Sequence, residues 1–154
     1  MHLRFDGKLG YPGGIIDPGE TIIQGVEREI LEETMLKTTL TGNDFVASME
    51  QEYKVIRHGK EYEKIKLYFF TKEIEEEAFL KFEDQSRQAE YFGIEILGNI
   101  RAPIYTYQET RGFPQFLCNN FAGTAIPQLL LGIYKNNLLN VDEIMSAYRV
   151  LHKN

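Results

Sequence analysis

Four glutamates follow a glycine-rich turn near the start of the chain: Glu20, Glu29, Glu32 and Glu33. In a helix, residues three and four apart share a face, so the carboxylates of Glu29, Glu32 and Glu33 would lie together. Like charges at this spacing oppose helix formation by roughly 0.2–0.5 kcal/mol per pair. Because Mg²⁺ and Mn²⁺ prefer carboxylate and water oxygens and often bridge to phosphates, the spacing predicts a divalent metal site.

The element that must position these carboxylates is a helix over residues 21–36, which follows a turn at Asp17-Pro18-Gly19. An extended, glycine-rich segment over residues 9–16 is expected to precede that turn. The helix carries an apolar stripe expected to pack beneath the carboxylate face, formed by Ile22, Ile23, Val26 and Ile30.

The rest of the chain mixes strands and helices without a regular βαβ alternation. The expected elements are strands at 45–56 and 62–74 joined by a turn at 57–60, an acidic surface helix at 73–87, a short strand at 93–98, an irregular or helical turn at 113–121, and a helix at 125–135. This order predicts an α+β fold or a layered sandwich-like fold.

A last helix is expected to begin at Asn140, because Glu143 stands three residues further on in capping-box positions. The side chains expected to point inward from it are Val141, Ile144, Met145, Tyr148 and Leu151.

Composition indicates one ordinary domain over residues 1–154, with 43% hydrophobic residues. No run approaches the roughly 20 apolar residues that span a bilayer, and no signal region opens the chain, so no membrane association is expected. The lone Cys118 excludes an internal disulfide and fits a nuclear or cytosolic compartment. The net charge of −6 argues against nucleic-acid binding through bulk electrostatics.

Two charged stretches can be interpreted either as functional sites or as ordinary solvated surface. Basic residues near the expected hairpin could form a track for RNA phosphates, but glutamates are interleaved among them, which favours a solvated surface. The basic residues are Lys54, Arg57, Lys60, Lys64 and Lys66, and the glutamates are Glu52, Glu61 and Glu63. The run of glutamates at 75–77 is likewise interpreted as a solvated helix face.

The acidic segment resembles the Nudix box, which reads Gly, five residues, Glu, seven residues, Arg-Glu, an aliphatic, one residue, Glu-Glu, one residue, Gly, an aliphatic. The residues in the fixed places are Gly14, Glu20, Arg28, Glu29, Ile30, Glu32, Glu33 and Leu36. Met35 replaces the last glycine of the pattern. Since glycine is the usual left-handed cap, Met35 is expected to alter how the helix ends.

More of the chain is similar to one branch of the Nudix superfamily. That branch contains small nucleolar RNA-decapping enzymes, also described as inosine diphosphatases, and their inactive relative syndesmos. The matching stretches are residues 4–14, 93–98, 103–106 and 112–123, with Gln128-Leu129-Leu130 beyond them. The motifs are therefore spread over nearly the whole chain.

The resemblance implies a Nudix α/β/α sandwich with a mixed sheet, dimeric in known members. The implied activity is Mg²⁺- or Mn²⁺-dependent hydrolysis of a diphosphate linkage. The substrate would be a purine nucleotide of the inosine diphosphate type, or the 5′ cap of small nucleolar or messenger RNA. Such an RNA substrate fits a nuclear or cytoplasmic location.

The resemblance also assigns roles to residues. Arg4, Tyr11, Gly13 and Gln128 fall where the family contacts nucleotide, and the implied metal ligands are Glu29, Glu32, Glu33 and Glu95 with Gly13 beside them. Glu33 or Glu95 is the candidate general base, and Glu29 is counted with them as catalytic. The structural positions of the box are Gly14, Glu20 and Arg28.

Three of these residues can also be interpreted without a functional role. Arg28 could clamp phosphate, but pairing with Glu20 or Glu32 to hold the helix against the turn is favoured. Tyr11 could stack on a base or simply pack. Gln128 is by default an exposed neutral residue on a helix.

The family has an amino-terminal leader with a base-contacting histidine, and this sequence starts past it; His2 lies too close to Arg4 to be that residue. The sequence is then a fragment or short isoform, or a partner replaces the missing strand. An alternative function follows: an RNA-binding or scaffold module that keeps the box without a working pocket. Syndesmos has lost the catalytic glutamates and this chain keeps them, which favours an enzyme.

Overall fold

The structure, a computed structural model, describes residues 1–57, 59–108 and 110–151, apart from the side chains at positions 53, 55, 56, 57, 60, 62 and 151. The helices are α1 (Ile22–Thr34), α2 (Glu76–Gln85), α3 (Phe113–Leu117), α4 (Ala125–Lys135) and α5 (Val141–Leu151). The strands are β1 (His2–Arg4), β2 (Leu9–Gly10), β3 (Phe45–Arg57), β4 (Lys60–Phe70), β5 (Ile96–Asn99), β6 (Thr106–Tyr107) and β7 (Arg111–Gly112). The expected α+β class is confirmed.

The strands form three separate antiparallel sheets rather than the one mixed sheet expected. β1 lies between β2 and β5, β3 pairs with β4, and β6 pairs with β7. Among the described residues, parallel pairing is limited to isolated bridges, Leu9 with Phe121 and Phe92 with Ile96. The chain connects β1 to β2 and β3 to β4 by short turns, and short turns produce antiparallel pairs.

β1 has a neighbour along both edges, so no open edge lies beside Arg4. His2 is opposite Gly10 on one side and Asn99 on the other. At the end of the strand, the N–H of Arg4 donates to the carbonyl of Lys8 at 2.9 Å. The strand that opens the described chain is therefore central in its sheet.

The core lies where α3 meets α4, α5 and β2. Phe113 and Leu117 of α3 are completely buried and pack with Ile133 of α4 and Ile144 of α5. The segment at 113–121, expected to be irregular or a helical turn, thus forms a five-residue helix at the centre of the protein. Its central place follows from two buried aromatic and aliphatic side chains one turn apart.

Three strand boundaries differ from the expected ones by three residues or more. β2 ends at Gly10 instead of continuing to residue 16, β4 ends at Phe70 instead of residue 74, and β5 begins at Ile96 instead of residue 93. The delay of β5 has a local cause: Gly93 adopts a positive φ of 80° inside a turn. The acidic helix is shorter than expected but present, with residues 75–77 exposed at its start.

Helix α5 begins as expected and buries a different face. The N–H of Glu143 donates to Oδ1 of Asn140, and the N–H of Asn140 donates to Oε2 of Glu143, which confirms the capping box. Ile144 is buried, but Val141 and Met145 are 53% and 43% exposed, so their expected inward orientation is wrong. Ala147 is buried instead, because a small side chain lets α5 approach α3 closely; the side chain of Leu151 lies outside the described residues.

The β3–β4 hairpin supports the solvated interpretation of its basic residues. Glu52 is opposite Lys64, Glu50 is opposite Lys66, and Lys54 Nζ lies 3.2 Å from Glu61 Oε1. Each of these lysines thus faces a glutamate on the neighbouring strand, which cancels the local charge that RNA would need. The side chains of Arg57 and Lys60 and all of His58 lie outside the described residues.

Helix α1, which carries the acidic residues, is defined at both ends. Thr21 caps its first turn in a capping box with Gln24. At the other end Met35 adopts the left-handed conformation with φ of 60°, and its N–H donates to the carbonyl of Leu31. Met35 therefore ends the helix in the left-handed conformation usual for a glycine cap, so the expected change at the helix end is not seen, and the side chain adds a steric cost there.

We expect Met35→Gly to stabilise the fold by about 1 kcal/mol, because glycine has no Cβ to oppose the left-handed conformation. Little packing is lost, since Met35 is 44% exposed. Urea unfolding of the wild type, Met35→Gly and Met35→Ala measures the effect. Met35→Ala removes the same side chain but keeps a Cβ, so equal stabilisation by both variants would contradict the explanation.

Candidate active site

The glycine-rich turn holds two carboxylates of α1. The N–H of Gly13 donates to Oε2 of Glu33 at 3.0 Å. A Cβ built on Gly14 would lie only 2.3 Å from Oε1 of Glu29, so the Glu29 carboxylate rests directly against the backbone of the turn. The turn thereby fixes Glu29 and Glu33 on the same side of α1.

Arg28 lies among the carboxylates and binds several of them. Its Nε donates to Oε1 of Glu20 at 2.8 Å, and its Nη1 donates to Oε1 of Glu29 at 2.9 Å and to Oε2 of Glu32 at 3.1 Å. Its Nη2 also donates to the carbonyl of Ile15 at 3.0 Å. Hydrogen bonds, first of all to Glu20, raise the pKa of Arg28.

These contacts give Arg28 both of the partners expected for a structural role, Glu20 and Glu32. They also revise the argument from crowding, because the guanidinium offsets part of the repulsion that the sequence suggested. Glu20 is fixed in turn by the N–H of Asp17, which donates to its Oε2 at 2.9 Å. The hydrogen bond from Arg28 and then that from Asp17 lower the pKa of Glu20. Arg28 therefore joins α1 to the turn.

Glu33 is the most perturbed carboxylate of the group. Its side chain is only 12% exposed. Burial, and after it the negative charges of Glu29 and Glu95, raise the pKa of Glu33 to about 7 against the opposing effect of the Gly13 hydrogen bond. A carboxyl group with a pKa near neutrality can take up and release a proton at physiological pH.

No role was expected for His2, yet its buried ring faces Glu33. The Nδ1 atom of His2 lies 3.6 Å from Oε2 of Glu33, and the His2 side chain is 4% exposed. Burial, and after it the positive charge of the amino terminus, lower the pKa of His2 to about 4, which leaves the ring neutral at pH 7. No sequence signal pointed to this contact, because it joins β1 to α1 across the fold.

Glu95 approaches the α1 carboxylates through the turn before β5. The carbonyl of Tyr91 accepts the N–H of Glu95 at 3.0 Å, and the carbonyl of Glu95 accepts the N–H of Phe5 at 3.0 Å. This ties the turn to the end of β1. The negative charge of the neighbouring Glu90, and then burial, raise the pKa of Tyr91. The carboxylates of Glu32, Glu29 and Glu95 raise it further. Glu95 thus belongs to the same electrostatic environment as the α1 residues.

Three of the four residues expected to contact nucleotide, Arg4, Tyr11 and Gln128, lie in different surroundings. Arg4 is 44% exposed and pairs with Asp6. Its positive charge also lowers the pKa of Glu33, against the larger effect of burial. Tyr11 packs against Phe69 with ring centroids 5.2 Å apart, and burial raises the pKa of its hydroxyl. Nε2 of Gln128 donates to Oγ1 of Thr124 on its own helix at 3.0 Å. Of the three, Arg4 is the one whose charge is shown to act on a carboxylate of the candidate site.

Among the described residues, these glutamates fit a divalent cation by their chemistry but are not drawn together around one position. Glu29, Glu33 and Glu95 offer hard oxygen ligands, and the charges of Glu29 and Glu95 both act on Glu33. The space beside Gly14 is filled by the Glu29 carboxylate, because a Cβ there would collide with it. Arg28 takes one oxygen each of Glu29 and Glu32. In this arrangement, no group of three or more acidic, histidine or cysteine side chains among the described residues is close enough to enclose an ion.

The buried Glu33 and His2 give opposite contributions to stability as pH changes. The folded chain keeps a proton on Glu33 between its usual pKa of 4.5 and about 7, so this contribution favours the fold at low pH and is lost as pH rises through 7. The pKa of His2 is about 4 in the folded chain and 6.5 in its usual state, so between these pH values the folded ring lacks the proton that the unfolded one carries. The contribution of His2 therefore favours the fold at high pH and is lost as the pH falls through this range. In the wild type the two contributions partly cancel.

We therefore compare the free energy of unfolding of Glu33→Gln with that of the wild type. We expect the difference, variant minus wild type, to increase by about 2 kcal/mol as the pH rises from 5 to 8 in metal-free buffer. Urea unfolding at each pH measures the difference. Glu27→Gln is the matched control, because Glu27 is on the same helix and accepts the N–H of Leu40 at 2.6 Å. A pH-independent difference for Glu33→Gln would contradict a raised pKa at Glu33.

The α+β fold and the box arranged around α1 place the chain in the Nudix superfamily, and the prediction of a Nudix hydrolase is confirmed. More particularly, it belongs to the Nudt16-like family, described as U8 snoRNA-decapping enzyme-like, which it matches over residues 1–139.

Named relatives support this placement. The chain is 33% identical to a U8 snoRNA-decapping enzyme of Xenopus laevis, over 99% of the chain and 71% of that protein. It is 36% identical to a U8 snoRNA-decapping enzyme of Homalodisca vitripennis, over 76% of the chain and 60% of that protein. It is 29% identical to the Tudor-interacting repair regulator protein of Homo sapiens, over 96% of the chain and 66% of that protein. The aligned region is thus 60% to 71% of each relative's length.

In the part of the chain that the structure describes, no helix is both long and apolar enough to cross a membrane.

Proposed function

We propose that the protein is a divalent-metal-dependent hydrolase that cleaves the diphosphate linkage of capped RNA. The observation that carries this proposal is the fixed pair of carboxylates, Glu29 against Gly14 and Glu33 on the N–H of Gly13. The relatives named U8 snoRNA-decapping enzyme support RNA as the substrate. Purine nucleotides of the inosine diphosphate type are the other substrate class that the same chemistry serves.

The proposed ligands of the cation, Mg²⁺ or Mn²⁺, are Glu29, Glu32, Glu33 and Glu95, with the backbone of Gly13 beside them. A divalent cation bound there supplies positive charge to the phosphate oxygens and increases the acidity of a nearby water. Arg28 keeps α1 and the turn in register, so that the carboxylates stay oriented while substrate binds.

Glu33 is the proposed general base. Its pKa of about 7 allows the carboxylate to accept the proton of the attacking water near neutral pH. The water oxygen bonds to phosphorus while the bond from phosphorus to the bridging oxygen breaks on the opposite side. A capped RNA would release 7-methylguanosine diphosphate and a 5′-monophosphate RNA, and inosine diphosphate would release the monophosphate and phosphate. Glu95 is the alternative base.

Arg4, Tyr11 and Gln128 are the proposed substrate contacts. Arg4 is 44% exposed, its charge acts on Glu33, and its guanidinium can bind a phosphate oxygen. Tyr11 packs on Phe69 and would present its ring to a base while it keeps that packing. Gln128 would have to exchange its bond to Thr124 for one to the nucleotide.

The test is incubation of the protein with Mn²⁺ or Mg²⁺ and either cap-labelled RNA or inosine diphosphate. Release of labelled 7-methylguanosine diphosphate that stops on addition of a chelator is expected. An RNA with a 5′-monophosphate serves as the control for contaminating nucleases. If neither substrate is cleaved with either metal, the proposal is wrong.

A scaffold or RNA-binding module is the second candidate. Two observations favour it: Arg28 occupies oxygens of Glu29 and Glu32, and one relative is named as a Tudor-interacting repair regulator. Such a module would bind capped RNA or a protein partner and leave the cap intact. Fluorescence-anisotropy binding of capped RNA in Mn²⁺, together with intact cap label after incubation, would favour this candidate over the hydrolase.

The proposed assembly is a homodimer in the nucleus or cytoplasm. Helices α4 and α5 and the loop between them expose apolar side chains that a partner could cover, namely Leu131, Tyr134, Leu138, Val141 and Met145. Light scattering at micromolar concentration tests the assembly, and microscopy of the tagged protein tests the location.

A further inference from the structure

His2 is a buried polar residue whose presence packing alone does not explain. It occupies the central strand of its sheet and is 3% exposed. Within the described residues, its Nε2 has no hydrogen-bond partner. A buried polar atom without a partner costs about 1–3 kcal/mol, whereas an aliphatic side chain would fill the position without that cost. The imidazole therefore destabilises the position it occupies.

The other ring nitrogen faces Glu33. The Nδ1 atom lies 3.6 Å from Oε2 of Glu33, and the same oxygen accepts the N–H of Gly13 at 3.0 Å. Both neighbours thus approach one oxygen of the carboxylate. Among the described residues, no hydrogen bond is recorded to the other oxygen, Oε1, which leaves it as the oxygen available to water and substrate.

We propose that His2 is a positioning residue, whose ring supports the Glu33 carboxylate beside Gly13 so that Oε1 faces the reacting water. The inference deepens the proposed function and rests on Glu33 as its general base. His2 itself touches no substrate, because β1 and its neighbours bury the ring. Support of this kind by an outer residue typically changes activity by about 10- to 100-fold.

The kinetic test compares His2→Leu, which removes both nitrogens, with His2→Asn, which keeps a polar atom at the position of Nδ1. We expect kcat on capped RNA to fall by about 10-fold or more in His2→Leu. KM should stay within about twofold because the substrate contacts are unchanged. His2→Asn should recover a large part of kcat. Unchanged kcat in His2→Leu, or a rise in KM alone, would overturn the proposal.

Leu9→Ala separates positioning from general damage to the fold. Leu9 lies in the adjacent strand, is 6% exposed and packs into the core away from the carboxylates. We expect Leu9→Ala to lower the unfolding midpoint while kcat below that midpoint stays within about twofold of wild type. If Leu9→Ala lowered kcat as much as His2→Leu, the effect of His2 would be structural.

A readout that needs no turnover keeps the inference distinct from the proposed function. The ¹³C shift of the Glu33 carboxyl group, assigned by its loss in Glu33→Gln, should change in His2→Leu and stay unchanged in Leu9→Ala. If the wild type cleaves nothing but this shift changes, His2 positions Glu33 and the proposed function is wrong. If the wild type is active and the shift is the same in His2→Leu, the positioning role is wrong.

Discussion

Glu33→Gln is expected to lower kcat on capped RNA by about 10²- to 10⁴-fold, the usual contribution of a positioned general base. Glutamine keeps the size of the side chain and an oxygen that can accept the N–H of Gly13, so the turn should stay in place. It removes the negative charge and the site that would accept the proton. Single-turnover kinetics with cap-labelled RNA in saturating Mn²⁺ measures the chemical step.

The pH profile gives a second reading of the same prediction. Because a bound cation lowers the pKa of a carboxyl group, the wild-type rate should rise with pH and level off at or below about pH 7. The residual rate of Glu33→Gln should lack this step. If the rate of Glu33→Gln stayed within threefold of wild type, Glu33 would not be the base. Glu95 would then be the candidate, and Glu95→Gln should show the large loss.

Glu27→Gln is the matched control for the loss of charge. Glu27 also lies on α1 and also accepts a backbone N–H, that of Leu40, but on the side away from the turn. Neutralising it changes the net charge of the protein by the same amount. We expect kcat of this variant to stay within about twofold of wild type, since it removes no group from the candidate site.

Features set by neighbouring residues were predictable from the sequence. The start of α1 follows from Thr21 and Gln24, and the start of α5 follows from Asn140 and Glu143, because each cap is a contact within four residues. The common face of Glu29 and Glu33 follows from helical spacing in the same way. The wider resemblance to the snoRNA-decapping branch added Glu95, which no local spacing connects to α1.

Features set by tertiary contacts were not predictable in this way. The ring of His2 meets Glu33 only because β1 packs beside α1, and a three-residue strand has too few residues to show which face is buried. Arg28 was expected to pair with Glu20 or Glu32, but its simultaneous contact with Glu29 depends on how the turn folds back. For α3 the sequence left open an irregular segment or a helical turn, because five residues are too few to show a helical period.

The apolar face of α5 shows the same limit within one helix. Val141 and Met145 have the spacing of a buried stripe with Ile144 and Tyr148, yet both are exposed. The buried position is Ala147, whose small side chain ranks low in any hydrophobic pattern. Close packing of α3 against α5 needs that small residue, and this need is visible only when the neighbouring helix is known.

Gly14→Ala is expected to lower kcat by about 10²-fold with little change in stability. The new Cβ would lie 2.3 Å from Oε1, 2.5 Å from Cδ and 2.6 Å from Oε2 of Glu29, so the whole carboxylate must move. A flexible side chain can move without unfolding the helix, and the loss therefore falls on function. A displacement of about 1 Å at a reacting group can cost about 10²-fold in rate.

Gly42→Ala is the control for the change from glycine to alanine. A Cβ at Gly42 meets nothing within 4 Å, and its φ is not in the left-handed region. We expect this variant to match the wild type in kcat and to differ by no more than about 0.5 kcal/mol in the free energy of unfolding. Urea unfolding of both variants checks that Gly14→Ala remains folded under the assay conditions.

The double variant Gly14→Ala with Glu29→Gln shows whether the glycine acts through this one carboxylate. If it does, adding Gly14→Ala to a chain that already carries Glu29→Gln should cost little further activity, because the two changes remove the same interaction. Multiplicative losses would mean that the turn acts through another group, such as the N–H of Gly13 that holds Glu33. Full activity in Gly14→Ala alone would mean that Glu29 can leave its position without effect, and its place among the proposed metal ligands would be lost.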